Sequence, residues 1–278
     1  MVNIGEVNKL RVLRVKEFGA FLEGDKDLDI LLPQSHMPED IKENDFIDVF
    51  IYLDSDDKLL ATTKTPYAKV GEFALLKVVE VNNFGAFLDW GLKKDLMVPF
   101  REQRCKLEEG KSYIVYIYVD EHTKRIAAST KLDKFLSNQR IVFTEGEEVE
   151  LLIAEQTELG YKAIINNTKW GMLYQNELFR DLKIGERTTG FIKKVRLDNK
   201  IDLSLQKGGY DQISDFSQII LQKLEENNGI LKVTDKSSPE LIKDLFNMSK
   251  KNYKKAVGSL YKQKLILLEE DHIKLVKE

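Results

Sequence analysis

The 278-residue sequence contains a single cysteine, Cys105. One thiol cannot build an intramolecular disulfide framework, nor a zinc site that needs two or more thiolates from the same chain, and it fits a reducing compartment. The three histidines, His36, His122 and His272, lie far apart without H-x-x-x-H or H-E-x-x-H spacing, and no G-x-x-x-x-G-K-[ST] loop occurs. The acidic clusters Asp25, Asp27, Asp29 and Asp54, Asp56, Asp57 lack the rest of an EF-hand pattern and read as acidic turns. No cofactor, metal or catalytic constellation is therefore expected. No window approaches the ~20 apolar residues of a membrane span, and no membrane association is expected. The start, MVNIGEVNKLRV, lacks the basic stretch, apolar run and small-residue cleavage site of a secretory signal, so the expected location is the cytoplasm.

What is present describes a folded, multidomain chain. Hydrophobic residues make up 42% and charged residues 32%, too apolar for disorder and too charged for a membrane protein. The net charge of −3 argues mildly against a polyanionic partner, but it is unevenly spread. Residues 1–64 carry −6, residues 65–137 carry +2, residues 138–208 carry 0 and residues 209–278 carry +1. The acid is concentrated at the N-terminus.

The sequence repeats itself. GEVNKLRVLRVKEFGAFL from Gly5 returns as GEFALLKVVEVNNFGAFL from Gly71, an offset of 66 that runs without a gap from Gly5 to Thr63. Phe18-Gly19-Ala20-Phe21 matches Phe84-Gly85-Ala86-Phe87, Pro33 matches Pro99, and Asp54 matches Asp120. A third copy lies a further 75 residues on: Gly146, Gly160, Gly185 and Ser204 answer Gly71, Gly85, Gly110 and Ser129. It reads ELGYKA where the others read FGAF, so its membership rests on spacing and on its last run, IDLSLQK.

Each copy reads as five strands, in the first copy LRVLRV, GAFLEG, DILLP, FIDVFIYL and LLATT, separated by Asp, Asn, Gly and Lys clusters. Five strands in about 65 residues suit a small closed or nearly closed barrel, with the leading glycine at a turn or bulge. A generic β-sandwich array is the alternative. After Gly208-Gly209 the period changes: Phe216, Ile219, Ile220 and Leu224 form one helical stripe, Ser-Ser-Pro-Glu at 237–240 caps a second helix, and Ser249 starts a third. Two short strands, LILLEE and HIKLVK, follow, completing winged-helix order. On the third helix Tyr253, Val257, Leu260 and Lys264 form the expected core face. Lys251, Lys255, Gly258 and Lys262 fall about 140–200° from Tyr253, a lysine stripe with a glycine that lets a phosphate backbone approach.

The string G-x-V, FGAF, GL-hydrophobic-x-x-S, GD, V-D and LS-x-K resembles the S1 RNA-binding domain, an OB-fold family, strongly in the first two copies and in part in the third. Three S1-like repeats followed by DKSSPELIKDLFNMSKKNYKKAVGSLYKQ resemble, over essentially the whole length, the conserved virulence factor B family of Gram-positive bacteria. The expected fold is thus multidomain: all-β OB barrels at 1–64, 65–137 and 138–208, then an α+β winged helix at 209–278. The resemblance implies an RNA-binding regulator of expression.

Single-stranded RNA is held by cations that track phosphates and rings on which bases stack. The S1 resemblance places Phe18 and Phe21, and Phe84 and Phe87, on the RNA face. Strict alternation would separate each pair, unless a bulge at the intervening Gly-Ala lets both rings emerge. Pro33, Pro99 and Tyr174 stand where the family often has a histidine. The second repeat adds Trp90, Phe100, Arg101 and Arg104, with Lys124 and Arg125 before its last strand, and is the expected best site. The third offers Tyr161, Trp170, Tyr174, Lys193, Lys194, Arg196 and Lys200; the first offers Lys58, crowded by carboxylates. A core role for each phenylalanine, and a merely solvated lysine face, stay open. The expected partner is single-stranded RNA. A protein-interaction adaptor docking on ribosome or transcription machinery is the alternative, a nuclease the third possibility, and the oligomeric state is open.

Overall fold

A computed structural model describes residues 2–25, 28–54, 56, 58–136, 143–178, 180–206 and 210–276, with 210–215 as helical backbone only. The chain separates into two compact units, Met1–Ser137 and Asn138–Glu278. The joints expected at 137/138 and 208/209 lie outside the described residues, as do Asp27 and Asp57.

The first unit holds two barrels. In the first, β1 (Val7–Lys16), β2 (Gly19–Glu23), β3 (Asp29–Pro33), β4 (Phe46–Leu53) and β5 (Leu59–Thr62) close in the order β1-β2-β3-β5-β4, with β3 and β5 parallel at Leu31 and Leu60. In the second, β6 (Phe73–Val81), β7 (Gly85–Asp89), β8 (Leu96–Pro99), β9 (Ser112–Val119) and β10 (Ile126–Ser129) form a sheet in the order β10-β9-β6-β7-β8. This barrel is nearly closed. Met97 and Ile126, the counterparts of Leu31 and Leu60, face one another across a seam that carries no hydrogen-bonded register among the described residues.

The second unit begins with a closed barrel of β11 (Glu148–Thr157), β12 (Gly160–Ile165), β13 (Lys169–Tyr174), β14 (Arg187–Val195) and β15 (Ile201–Ser204), ordered β11-β12-β13-β15-β14. The third copy is therefore the same barrel. Its connectivity matches the first, and its glycines do the same work. Gly5, Gly71 and Gly146 all take left-handed φ near +85° (83, 88 and 89°) and donate from N–H to the carbonyls of Ile51, Ile117 and Ile192 at 2.7, 2.9 and 2.7 Å. Gly19, Gly85 and Gly160 face Pro33, Pro99 and Tyr174 in register. A Cβ at these three would lie 2.3, 2.4 and 2.1 Å from the carbonyl oxygens of Leu32, Val98 and Leu173. Only glycine allows that approach of strand to strand, which is why it persists where the phenylalanines around it do not.

The winged helix comprises α1 (Tyr210–Glu226), β16 (Ile230–Leu231), α2 (Pro239–Phe246), α3 (Lys250–Lys262), β17 (Ile266–Leu268) and β18 (Ile273–Leu275), with sheet order β16-β18-β17. The caps are the expected ones: Ser238 Oγ accepts from Leu241 N and Ser249 Oγ from Asn252 N, both at 3.2 Å. Phe216, Ile220 and Leu224 enter the core beside Tyr253, Val257 and Leu260. Two expected core positions are corrected. Ile219 is exposed, because the stripe turns toward Leu221. Lys264 is exposed too, since α3 ends at Lys262 and the chain then turns through a left-handed residue at Lys264, φ 58°.

Candidate nucleic-acid interface

In the second barrel Phe84 sits in the turn before β7, held by its N–H donating to the Asn82 side chain at 3.0 Å. Its ring is 73% exposed. Phe18 has the same place in the first barrel and is 61% exposed. Both rings of each pair escape the core, but not through a bulge at Gly-Ala. Phe18 and Phe84 lie in turns rather than strands, so alternation does not apply to them. The bulge lies instead on the partner strand, between Val12 and Arg14 in the first barrel and between Val78 and Glu80 in the second. Phe21 and Phe87 are half-buried, and Phe18 meets Phe21 edge-on at 5.8 Å. Arg14 covers the other side of Phe21 at 4.3 Å while pairing with Asp29 at 2.5 Å. In the first barrel the platform is thus partly occupied by its own arginine.

The second barrel opens differently. Phe84, Phe87, Phe100, Arg101 and Arg125 surround one concavity of about 720 Å³, which also takes Met97 and Ile126 from the unpaired seam. Phe100 starts the short 3-10 turn after β8 and is 50% exposed. Arg101 donates to the buried Asp120 at 2.6 Å, using one of its five N–H donors. Backbone N–H groups of Thr123 and His122 and the Thr123 hydroxyl also reach Asp120. Those hydrogen bonds, Thr123 first, hold its carboxyl below the usual range despite burial, and Arg101 adds to the effect. Asp120 so ties the β9–β10 turn, where Lys124 takes φ 57° and stands exposed, to the turn that carries Arg101. Tyr118, beside this network, is pushed up to about 12 by burial and by Glu102 and Asp120.

Trp90 also lines this concavity, but most of its ring is withdrawn from solvent. It is 3% exposed, packs edge-on against Phe50 of the first barrel at 5.7 Å, and donates from Nε1 to the Lys94 carbonyl at 2.6 Å. Burying a ring of this size is worth roughly 4–6 kcal/mol by area, against about 1–3 kcal/mol for stacking one base; adhesion between barrels wins. Lys94 completes that joint, its Nζ donating to the Leu53 and Asp54 carbonyls at 2.9 and 2.7 Å. As a result Tyr52 and Leu53, from the first barrel, line the concavity of the second. No signal within one repeat could have found them, because they act on the neighbouring repeat.

In the third barrel the candidate groups are engaged with one another. Tyr161 is corrected to a core residue, 6% exposed. Carrying the offset of 75 through explains it: Tyr161 falls on Ala86, a core position, while Leu159, exposed, falls on Phe84. Tyr174 is engaged by Arg196, whose Nη2 donates to the phenol oxygen at 2.7 Å and whose Nε reaches Asp202 at 2.9 Å. Lys193 pairs with Glu177, Lys200 with Asp198 at 2.9 Å, and Lys162 lies over Trp170 at 4.1 Å. Arg196 and Lys200 remain exposed, but acids neighbour both. In the first barrel Asp54 accepts from the N–H groups of Asp56 and Lys58 at 2.8 and 2.9 Å, closing an acidic turn beside the exposed Lys58. No group of three or more metal-ligating side chains occurs among the described residues.

On the winged helix, Lys251, Lys255 and Lys262 are all exposed along α3, opposite the buried Tyr253, Val257 and Leu260. A Cβ at Gly258 would meet nothing within 4 Å, so the glycine keeps an open approach between the lysines. Lys254, to one side, pairs with Asp235 at 3.6 Å.

Barrels of this connectivity with rings and cations on one side, followed by a winged helix, define a multidomain protein of nucleic-acid-binding modules. The S1 domain family matches residues 4–64 and 70–131, and the CvfB-like winged helix domain matches residues 218–275. The chain is 32% identical over 271 residues to the uncharacterized protein YitL of Bacillus subtilis, covering 93% of this chain and 89% of that protein. It is 26% identical over 285 residues to conserved virulence factor B of Staphylococcus epidermidis, covering 99% and 95%. It belongs to the conserved virulence factor B family. A crystal structure from Streptococcus pneumoniae, described as a multidomain protein with nucleic acid binding domains, aligns with 98% of both chains at 23% identity and a TM-score of 0.43. The matched families are binding modules rather than known enzymes. Among the described residues no helix is long and apolar enough to cross a membrane.

Proposed function

We propose that the protein is a non-catalytic, cytoplasmic regulator of gene expression that holds single-stranded RNA, with four domains bounded near residues 64, 137 and 208. The observation that carries this reading is the second barrel's concavity, where Phe84 and Phe100 stand exposed beside Arg101 and Arg125. Exposed rings are costly to leave in water unless a partner uses them, and every base has a face on which they stack. Lys124 at the adjoining turn and the Lys251, Lys255 and Lys262 stripe supply phosphate contacts. Phe18 is a secondary platform, and Tyr174, Arg196 and Lys200 a tertiary one.

A protein-adaptor role on ribosome or transcription machinery has one observation in its favour. Leu241 and Leu245, one turn apart on α2, are both exposed. Titration of labelled single-stranded RNA with the full chain separates the two. Affinity should fall with added salt, and a variant with Phe84, Arg125, Lys251 and Lys255 all changed to alanine should bind far more weakly. No binding at low salt, or equal binding by the variant, excludes the RNA reading. RNA cut by pure protein with added metal would exclude the non-catalytic one.

A further inference from the structure

The concavity in the first unit is not built by the second barrel alone. Tyr52 and Leu53 of the first barrel form part of its lining, together with Phe84 and Phe100 of the second. The lining also includes Met97 and Ile126, the counterparts of Leu31 and Leu60, which pair β3 with β5 in the first barrel. At about 720 Å³ the space lies within the range of sites that enclose a small organic molecule, and it exceeds what an open stacking face would need. Arg101 and Arg125 are lining residues that also reach solvent, so a phosphate attached to such a molecule can meet them. Lys94, bonded to the carbonyls of Leu53 and Asp54, holds the wall in place.

We infer that the first two barrels together form a pocket for one nucleotide of an RNA strand, its base unstacked from its neighbours and enclosed, its phosphates at Arg101 and Arg125. The inference rests on the single-stranded RNA reading and deepens it. The acidic first barrel contributes a wall that selects for an extruded base instead of a second stretch of phosphate-binding surface. This accounts for a repeat that keeps its architecture while carrying a net charge of −6. Carboxylates near the wall repel backbone phosphates and leave the neutral base as the part admitted.

The test uses the full chain and a hexanucleotide that is abasic throughout except for one central 2-aminopurine, compared with the fully abasic hexamer. One enclosed base should raise affinity roughly tenfold, the value of a single stacked base, and its emission should be strongly quenched. Leu53→Trp, which fills the pocket from the first barrel without touching Phe84, should bring affinity back to that of the abasic hexamer and restore emission. A 20-nucleotide single-stranded RNA should still bind that variant through the remaining surfaces. If Leu53→Trp fails to give a native thermal transition, Met97→Trp fills the same space from the other side and should act alike. Retention of the gain and the quenching by folded filling variants would overturn the pocket while leaving RNA binding intact. Failure of the wild-type chain to bind the longer RNA would remove both readings. Tighter binding of free uridine 5′-monophosphate than of the single-base hexamer would assign the pocket to a soluble nucleotide and overturn its assignment to a strand.

Discussion

Phe18 and Phe84 occupy the same turn of the first and second barrels, 66 residues apart, and both rings face solvent. Their neighbours differ. Where the second barrel has Phe100 and Arg101, the first has Gln34 and Ser35; where the second has Arg125, the first has Leu59; where the second has Trp90, the first has Gly24. The first barrel closes its seam with a parallel pair and covers Phe21 with Arg14. The second brings β8 and β10 together without a hydrogen-bonded register among the described residues and packs Trp90 against its neighbour. The two copies thus share a frame and differ in surface: the second carries the exposed rings and guanidiniums of the concavity, and the first supplies part of its wall. Repeat identity reports the barrel, while the character of its surface is set at single exposed positions.

The largest expected losses come from the frame that the two barrels share. Gly85→Val should place a Cβ about 2.4 Å from the Val98 carbonyl and cost the second barrel its fold. Gly19→Val should do the same to the first, since its Cβ would lie 2.3 Å from the Leu32 carbonyl. Thermal unfolding of each variant measures this, and equal damage confirms that the frame is common. A smaller effect separates the surfaces. Phe84→Ala should weaken RNA binding by about 1–3 kcal/mol, roughly 5- to 150-fold, whereas Phe18→Ala should change it less than about threefold. Equal losses in the titration would show that both faces bind alike.

The reverse exchange sharpens the same contrast. Gln34→Phe with Ser35→Arg, both at exposed positions, should give the first barrel part of the missing surface and improve affinity a few-fold, with the salt dependence steepened by about one unit. The mildest effect concerns the Asp120 network. Its carboxyl is held below the usual range, so it stabilises the fold above about pH 4, and that contribution is lost as pH falls through the depressed folded value. In acid melts the wild-type advantage over Asp120→Asn should therefore shrink below pH ~4 and stay constant above it.

Much of this was legible without coordinates. Five strands per copy, their order, the Ser238 and Ser249 caps and the lysine stripe follow from local spacing, which backbone geometry enforces residue by residue. Even the third barrel was visible through Gly146, Gly160 and Gly185, because Gly146 and Gly185 take left-handed φ of 89 and 86° and a Cβ at Gly160 would lie 2.1 Å from the Leu173 carbonyl oxygen. Tyr161 was misread, and the packing of Trp90 between barrels went unread, because an aromatic residue looks the same in sequence whether it is platform or core. For Tyr161 the offset held the answer at Ala86; for Trp90 the answer lay in another repeat.

By itself the sequence determined the barrels, their number, the winged helix and the family, since all of these rest on short-range patterns of turn, strand and cap. Only the tertiary structure decided that the second barrel's rings and guanidiniums converge on one concavity and that the first barrel walls it. The reason is physical: which ring stays in water depends on the area that long-range packing can bury. For Trp90 that area came from Phe50, 40 residues away in the chain.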